Sequence, residues 1–241
     1  SAATGNETAY QLAYTTNKAT SGNDTGLLIS MTDTASPGTS LPLNIQVGGA
    51  SKFAVDNTGA LTTALGYTGS GQPKRTIVLT AAGAIIPAAN APQQLQTNGT
   101  NVSFYTLNYS GTAGAAERAH WQFLVPDAYT GTTVNATLYW LTPSVTTTNV
   151  VKWFVDMNGL GDAQTLDAAL QTAGTVTDAP TATANQVLVT TEIANITTGW
   201  AVGEYAVVRV QRNAADAADT ETALAKLLMI KLEWTASAES D

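Results

Sequence analysis

The chain has 241 residues, 44% of them hydrophobic and only 12% charged, with a formal net charge of −8, so it carries enough apolar material for one large or two modest domains. With no cysteine and a single histidine, His120, it excludes disulfide staples, thiolate zinc sites and cysteine nucleophiles, and it leaves little for a metal centre or a catalytic triad. Its arginines, Arg75, Arg118, Arg209 and Arg212, are scattered rather than clustered, and no apolar run is long enough to cross a bilayer, so neither nucleic-acid binding nor membrane insertion is expected.

Residues 1–65 read as short strands of period two broken by turn clusters. The strands are TAYQLAYTTNKA, with Tyr10, Leu12 and Tyr14 in its stripe, then TGLLISMTDTA, then SLPLNIQVGGASKFAVD. Each carries one thin apolar stripe. Asp56-Asn57-Thr58-Gly59 reads as a tight turn, because glycine supplies a positive φ without cost and asparagine tolerates the left-handed region. Residues 66–74, rich in glycine and containing a proline, read as a linker.

Residues 75–236 change pattern. About eight strands follow, separated by turns, which predicts an antiparallel two-sheet sandwich of jelly-roll type. They include RTIVLT, NVSFYTLNY, ERAHWQFLV, TTVNATLYWLT, NVVKWFVDMNG, YAVVRVQR and KLLMIKLEW, and most tryptophans fall on their core-facing positions. A short helix is predicted over DAQTLDAALQTA, with Asp162 as N-cap and Leu166 and Leu170 on one face. Residues 237–241 form a polar tail. The predicted fold is therefore all-β, an N-terminal fibre-like β-module followed by an antiparallel jelly-roll-like β-sandwich.

The stretch DTGLLISMTDTASPGTSLPLNIQVGGASKFAVDNTGALTT resembles fibre and appendage modules of tailed-bacteriophage structural proteins, through its K-F-x-V-D-x-x-G-x-L segment. The blocks FYTLNYSG, WQFLVPDAYTGTTVNATLYWLT, VVKWFVDMNGLGDAQTLDAAL and LAKLLMIKLEW are similar to a β-domain of phage virion proteins. The resemblance implies a virion location, as a fibre, spike or capsid-decoration component, and partners among capsid or tail proteins. It also implies a homotrimer. In such an assembly Leu43, Ile45, Val47, Phe53, Val55 and Leu61 would meet their symmetry mates about one axis. A host-surface glycan is the further expected partner. The alternative reading is a monomeric carbohydrate-binding or adhesion module of a bacterial surface protein.

No set of residues reads as catalytic, and no cofactor or metal is expected. G-x-S-x-G is absent. His120 alternates with Gln122 on the strand face opposite Trp121 and Phe123, where it reads as a surface or interface histidine. DMNGLGD, residues 156–162, has the look of a calcium loop but lacks its closing acid. Asp216, Asp219 and Glu221 lie in an Ala-rich connection expected to be solvated. Glycan contact is expected from loop residues, Tyr129, Trp200 and Tyr205, because the strands are committed to the core and the loops at a sandwich end are free.

Overall fold

The computed structural model describes residues 11–13, 25, 27–35, 38–59, 61–63, 74–112 and 114–236. It is all-β, with no α-helix among the described residues. The chain divides into two compact units, Ser1–Thr68 and Gly69–Asp241. The expected linker at 66–74 lies outside the described residues except for Lys74, which opens a strand, and the expected tail at 237–241 lies wholly outside them.

In the first unit β1 (Leu43–Val47), β2 (Ala50–Val55) and β3 (Leu61–Thr63) form one antiparallel sheet. Gly48 and Gly49, with φ of 59° and 80°, close a two-residue hairpin that needs positive φ at both positions. The next turn is built on Asp56, whose carboxylate accepts from the backbone N–H of Thr58 at 2.8 Å and from its hydroxyl at 2.7 Å. Gly59 takes φ 88° there, and Asn57 is not left-handed; its amide instead donates to Asp33. The expected strand at TGLLISMTDTA is corrected. Residues 27–33 join no ladder among the described residues, and Leu27, Leu28, Ile29 and Met31 are exposed. Tyr10 and Tyr14 of the first expected strand fall outside the described residues.

The second unit is an antiparallel sandwich of jelly-roll type. One sheet runs β10 (Gly174–Asp178), β9 (Val151–Leu160), β13 (Tyr205–Arg212), β7 (Glu117–Leu124). The other is centred on β14 (Ala225–Thr235) and β8 (Thr133–Leu141). Beyond β8 lie β11 (Leu188–Val189) and β12 (Ile193–Thr197); beyond β14 lie β4 (Lys74–Thr80) and β6 (Ser103–Tyr109), with β5 (Gln93–Asn98) outside β6.

Alternation places Trp153, Val155 and Met157 of β9 and Val208 and Val210 of β13 against Leu138 and Trp140 of β8 and Ile230 and Leu232 of β14, all fully or nearly fully buried. Fully burying each such side chain contributes about 1.5–3 kcal/mol. The sheets are also tied by specific contacts. Tyr109 and Trp153 meet edge to face at 5.2 Å, the Tyr109 hydroxyl donates to the Val210 carbonyl at 3.1 Å, and the Trp140 indole N–H donates to Asp178 at 2.7 Å.

Three expectations are corrected here. The predicted helix over DAQTLDAALQTA is absent; the segment forms turns with Ala163 at φ 63° and Leu166 exposed, because β9 holds its end in an extended path. The Gln171 backbone N–H donates to the Met157 carbonyl at 2.9 Å, and the Asn158 amide donates to the Ala169 carbonyl at 3.1 Å. DMNGLGD is no loop: Asp156 to Leu160 are the last residues of β9. The acidic connection is solvated only in part, with Ala215, Ala217, Ala218 and Thr220 exposed. Asp219 and Glu221 are buried, and Asp219 receives a two-pronged ion pair from the fully buried Arg212, at 2.9 and 2.8 Å. Arg212 further donates to the backbone carbonyls of Ala223 and Glu221, which pins the connection to the core.

Candidate functional site

The outward face of the β10-β9-β13-β7 sheet is set by register. Across β7, β13 and β9, the rows are Arg118–Gln211–Phe154, His120–Arg209–Asp156, Gln122–Val207–Asn158 and Leu124–Tyr205–Leu160. Along β7 this means that Arg118, His120 and Gln122 face outward while Ala119, Trp121 and Phe123 face the core. The polar and apolar halves of one strand thus serve two different jobs.

Two walls turn that face into a groove of about 670 Å³. On the β7 side, Ile85 exchanges both backbone hydrogen bonds with His120, at 2.8 and 3.1 Å, and stands beside Pro87. On the β9 side the wall is residues 166–170, the segment that did not become a helix. Asn158 holds that wall: besides its bond to Ala169, its carbonyl accepts from the Gln171 amide at 3.0 Å. At the mouth, Tyr205 is placed by the turn before it. Gly159 lets this turn approach β9, since a Cβ there would meet Glu204 Oε2 at 2.3 Å and the Gly199 carbonyl at 2.7 Å.

Charge in the groove is partly neutralised. Arg209 forks onto Asp156, its Nε at 2.9 Å from Oδ1 and its NH2 bonded to Oδ2, so that carboxylate is engaged. Arg118 makes no ion pair among the described residues. Burial, and then the nearby Arg209 and Arg118 guanidiniums, lower the His120 pKa below its usual value against a smaller opposing effect of Asp156. His120 is therefore a neutral imidazole at pH 7, able to donate at one nitrogen and accept at the other. Gln122 is exposed, and no side chain among the described residues holds its amide. Among the described residues no group of three or more histidine, aspartate or glutamate side chains could hold a metal ion.

The residues predicted for glycan contact fare differently. Tyr205 lines the groove, but from the first position of β13, paired with Leu124 and Leu160, so its expected loop setting is corrected. The expectation of accessible positions for Trp200 and Tyr129 is corrected, as both are buried. Trp200 packs on Phe123 at 5.3 Å and on Tyr129 at 5.5 Å, Tyr129 also meets Trp234 at 5.9 Å, and the Tyr129 hydroxyl is bonded to Thr198 at 2.7 Å. Together they close one end of the core. The groove residues Arg118 and Gln122 were not singled out from the sequence. Their signal was the polar alternation in RAHWQ, which becomes a site only once β13 supplies Tyr205, Val207 and Arg209 alongside.

A second surface lies in the first unit. Register puts Leu43 opposite Val55, Val55 opposite Leu61 and Ile45 opposite Phe53, so these five share one face of the small sheet, and Val47 follows them by alternation. These are the six residues expected at a trimer axis. Ile45, Val47 and Leu61 are exposed there, by 52%, 66% and 49%, and Leu43, Phe53 and Val55 are half-buried.

No protein-family model matches the chain, and no curated protein matches it. Among solved structures it is similar to a family 35 carbohydrate-binding module from Cellvibrio japonicus Abf62, at 13% identity and a TM-score of 0.40, over 67% of this chain and 97% of that one. It is also similar to the CBM22-1 xylan-binding domain of Paenibacillus barcinonensis Xyn10C, at 10% identity and a TM-score of 0.39, over 70% of this chain and 100% of that one. A family 35 carbohydrate-binding module from Clostridium thermocellum gives 13% identity and a TM-score of 0.37, over 66% and 97% of the two chains. Likenesses this distant carry no functional weight for the chain.

Proposed function

We propose that the chain is a non-catalytic binding module whose sandwich holds a saccharide in the groove of the β9-β13-β7 face. The observation that carries this reading is the lining itself. Tyr205, Val207 and Leu160 offer an apolar strip, and Gln122, His120 and Arg118 stand beside it as polar groups with no side-chain partner among the described residues. A pyranose ring needs that pairing, an apolar surface for its C–H face and fixed donors and acceptors for its hydroxyls. Asp156 is held by Arg209, which supports a binding role over an acid or base role in glycoside cleavage. A glycan array tests the reading. The intact protein binds a subset of oligosaccharides, and Tyr205→Ala loses most of that binding; binding unaffected by Tyr205→Ala would refute the groove as the site.

For the first unit we propose assembly as a homotrimer through the face that carries Leu43, Ile45, Val47, Phe53, Val55 and Leu61. The exposed half of that apolar face supports it, since a sheet this small buries too little alone to offset an ordering cost of about 1–2 kcal/mol per residue. With the resemblance to phage appendage modules, this makes the chain a virion surface component that joins capsid or tail proteins and presents its grooves to host glycans. Light scattering of the intact chain reads the assembly: a mass about three times 24.9 kDa is expected, and one near 24.9 kDa would favour a monomeric adhesion module.

A further inference from the structure

We infer that the groove is selective for an acidic saccharide, with a sugar carboxylate held by Arg118. The inference rests on the saccharide reading of the same groove and adds its ligand class. The chain carries a net charge of −8, and both guanidiniums of β13 are paired with carboxylates, Arg209 with Asp156 and Arg212 with Asp219. Arg118 is different. It is half-buried on the same sheet, lines the groove, and has no carboxylate partner among the described residues.

A guanidinium left unpaired beside neutral His120 presents a planar fork of donors, which matches a carboxylate with two parallel hydrogen bonds and has no such match in a hydroxyl. Among the described residues the groove lining holds a single acidic side chain, Asp167, and it belongs to the opposite wall, on the segment beyond β9. Position adds a further constraint. Arg118 is in register with Gln211 and Leu124 with Tyr205, six residues apart along β13, or about 20 Å at roughly 3.4 Å per residue. The ring that stacks on Tyr205 and the sugar that bears the carboxylate are then different residues of one oligosaccharide.

Titration of the intact protein with trigalacturonate and with its methyl ester, which keeps the sugar and removes the charge, tests this. Wild type should bind the acid at least about tenfold more tightly than the ester, and Arg118→Gln should erase that ratio by weakening the acid alone, as expected for loss of a charged hydrogen-bond pair. Raising the salt from low to about 0.5 M should narrow the ratio in wild type and not in the variant. Tyr205→Ala should weaken both ligands together. Equal binding of acid and ester, or an Arg118→Gln protein that keeps the preference, overturns the acidic class and leaves the saccharide reading standing. Binding of neither probe, together with an array on which no oligosaccharide is held, overturns both.

Discussion

Two outward-looking sheet faces of this chain are built on opposite rules. The β1-β2-β3 sheet turns six aliphatic and aromatic side chains to one side and leaves Ile45, Val47 and Leu61 about half or more exposed. The β9-β13-β7 sheet hides its tryptophans and most of its valines inside the sandwich and presents arginine, histidine, glutamine and tyrosine, with Val207, around a groove. The same period-two alternation produces both. What differs is which half of the pattern has a partner within its own unit. A sandwich completes its core by itself, so its outer face is available for recognition, whereas the three-stranded sheet leaves an apolar face half exposed among the described residues.

Damage to the sandwich interior should therefore appear as lost stability. Asp219→Ala leaves the Arg212 cation buried without its carboxylate, and the loss should reach about 3–5 kcal/mol in chemical denaturation. Damage to the small sheet should appear as lost mass. Phe53→Asp with Val55→Asp would bring like charges together near the axis, so light scattering should fall from trimer to monomer while the sandwich keeps its denaturation midpoint.

The groove floor should register pH. Since the folded state lowers the His120 pKa, the neutral form is favoured on folding. Its contribution is complete above the unfolded value of about 6.5 and is lost as the pH falls through the lowered folded value. His120→Gln should flatten stability across that window, and a slope unchanged by the substitution would place the titration elsewhere. At the small end, Lys74→Ala removes a 2.7 Å ion pair to Glu233 from a largely exposed lysine and should leave the midpoint where it was.

Much of this was legible from the residues, for identifiable reasons. β13 and β14 alternate cleanly and pack one face on a core, so YAVVRVQR and KLLMIKLEW announce themselves, and Trp140, Trp153 and Trp234 fall where burial predicts. The Asp56 to Gly59 turn was readable because its chemistry is local. β5, with the sequence QQLQTN, was not, because it is exposed along its length and owes its form to the ladder with β6 rather than to an apolar stripe. The helix predicted near Leu166 failed because propensity and spacing yielded to hydrogen bonds from β9. The groove was half legible. Tyr205 could be guessed, but Arg118 and Gln122 gain meaning only from β13, about 90 residues away.

The central claim is the location of the ligand, and a crystal structure of the intact chain soaked with the oligosaccharide that binds best on the array tests it most directly. The account predicts a sugar ring against Tyr205 with Gln122 and His120 within hydrogen-bonding distance. Sugar density at the Trp200 end of the sandwich, or on any face other than that of β7, β13 and β9, would contradict it.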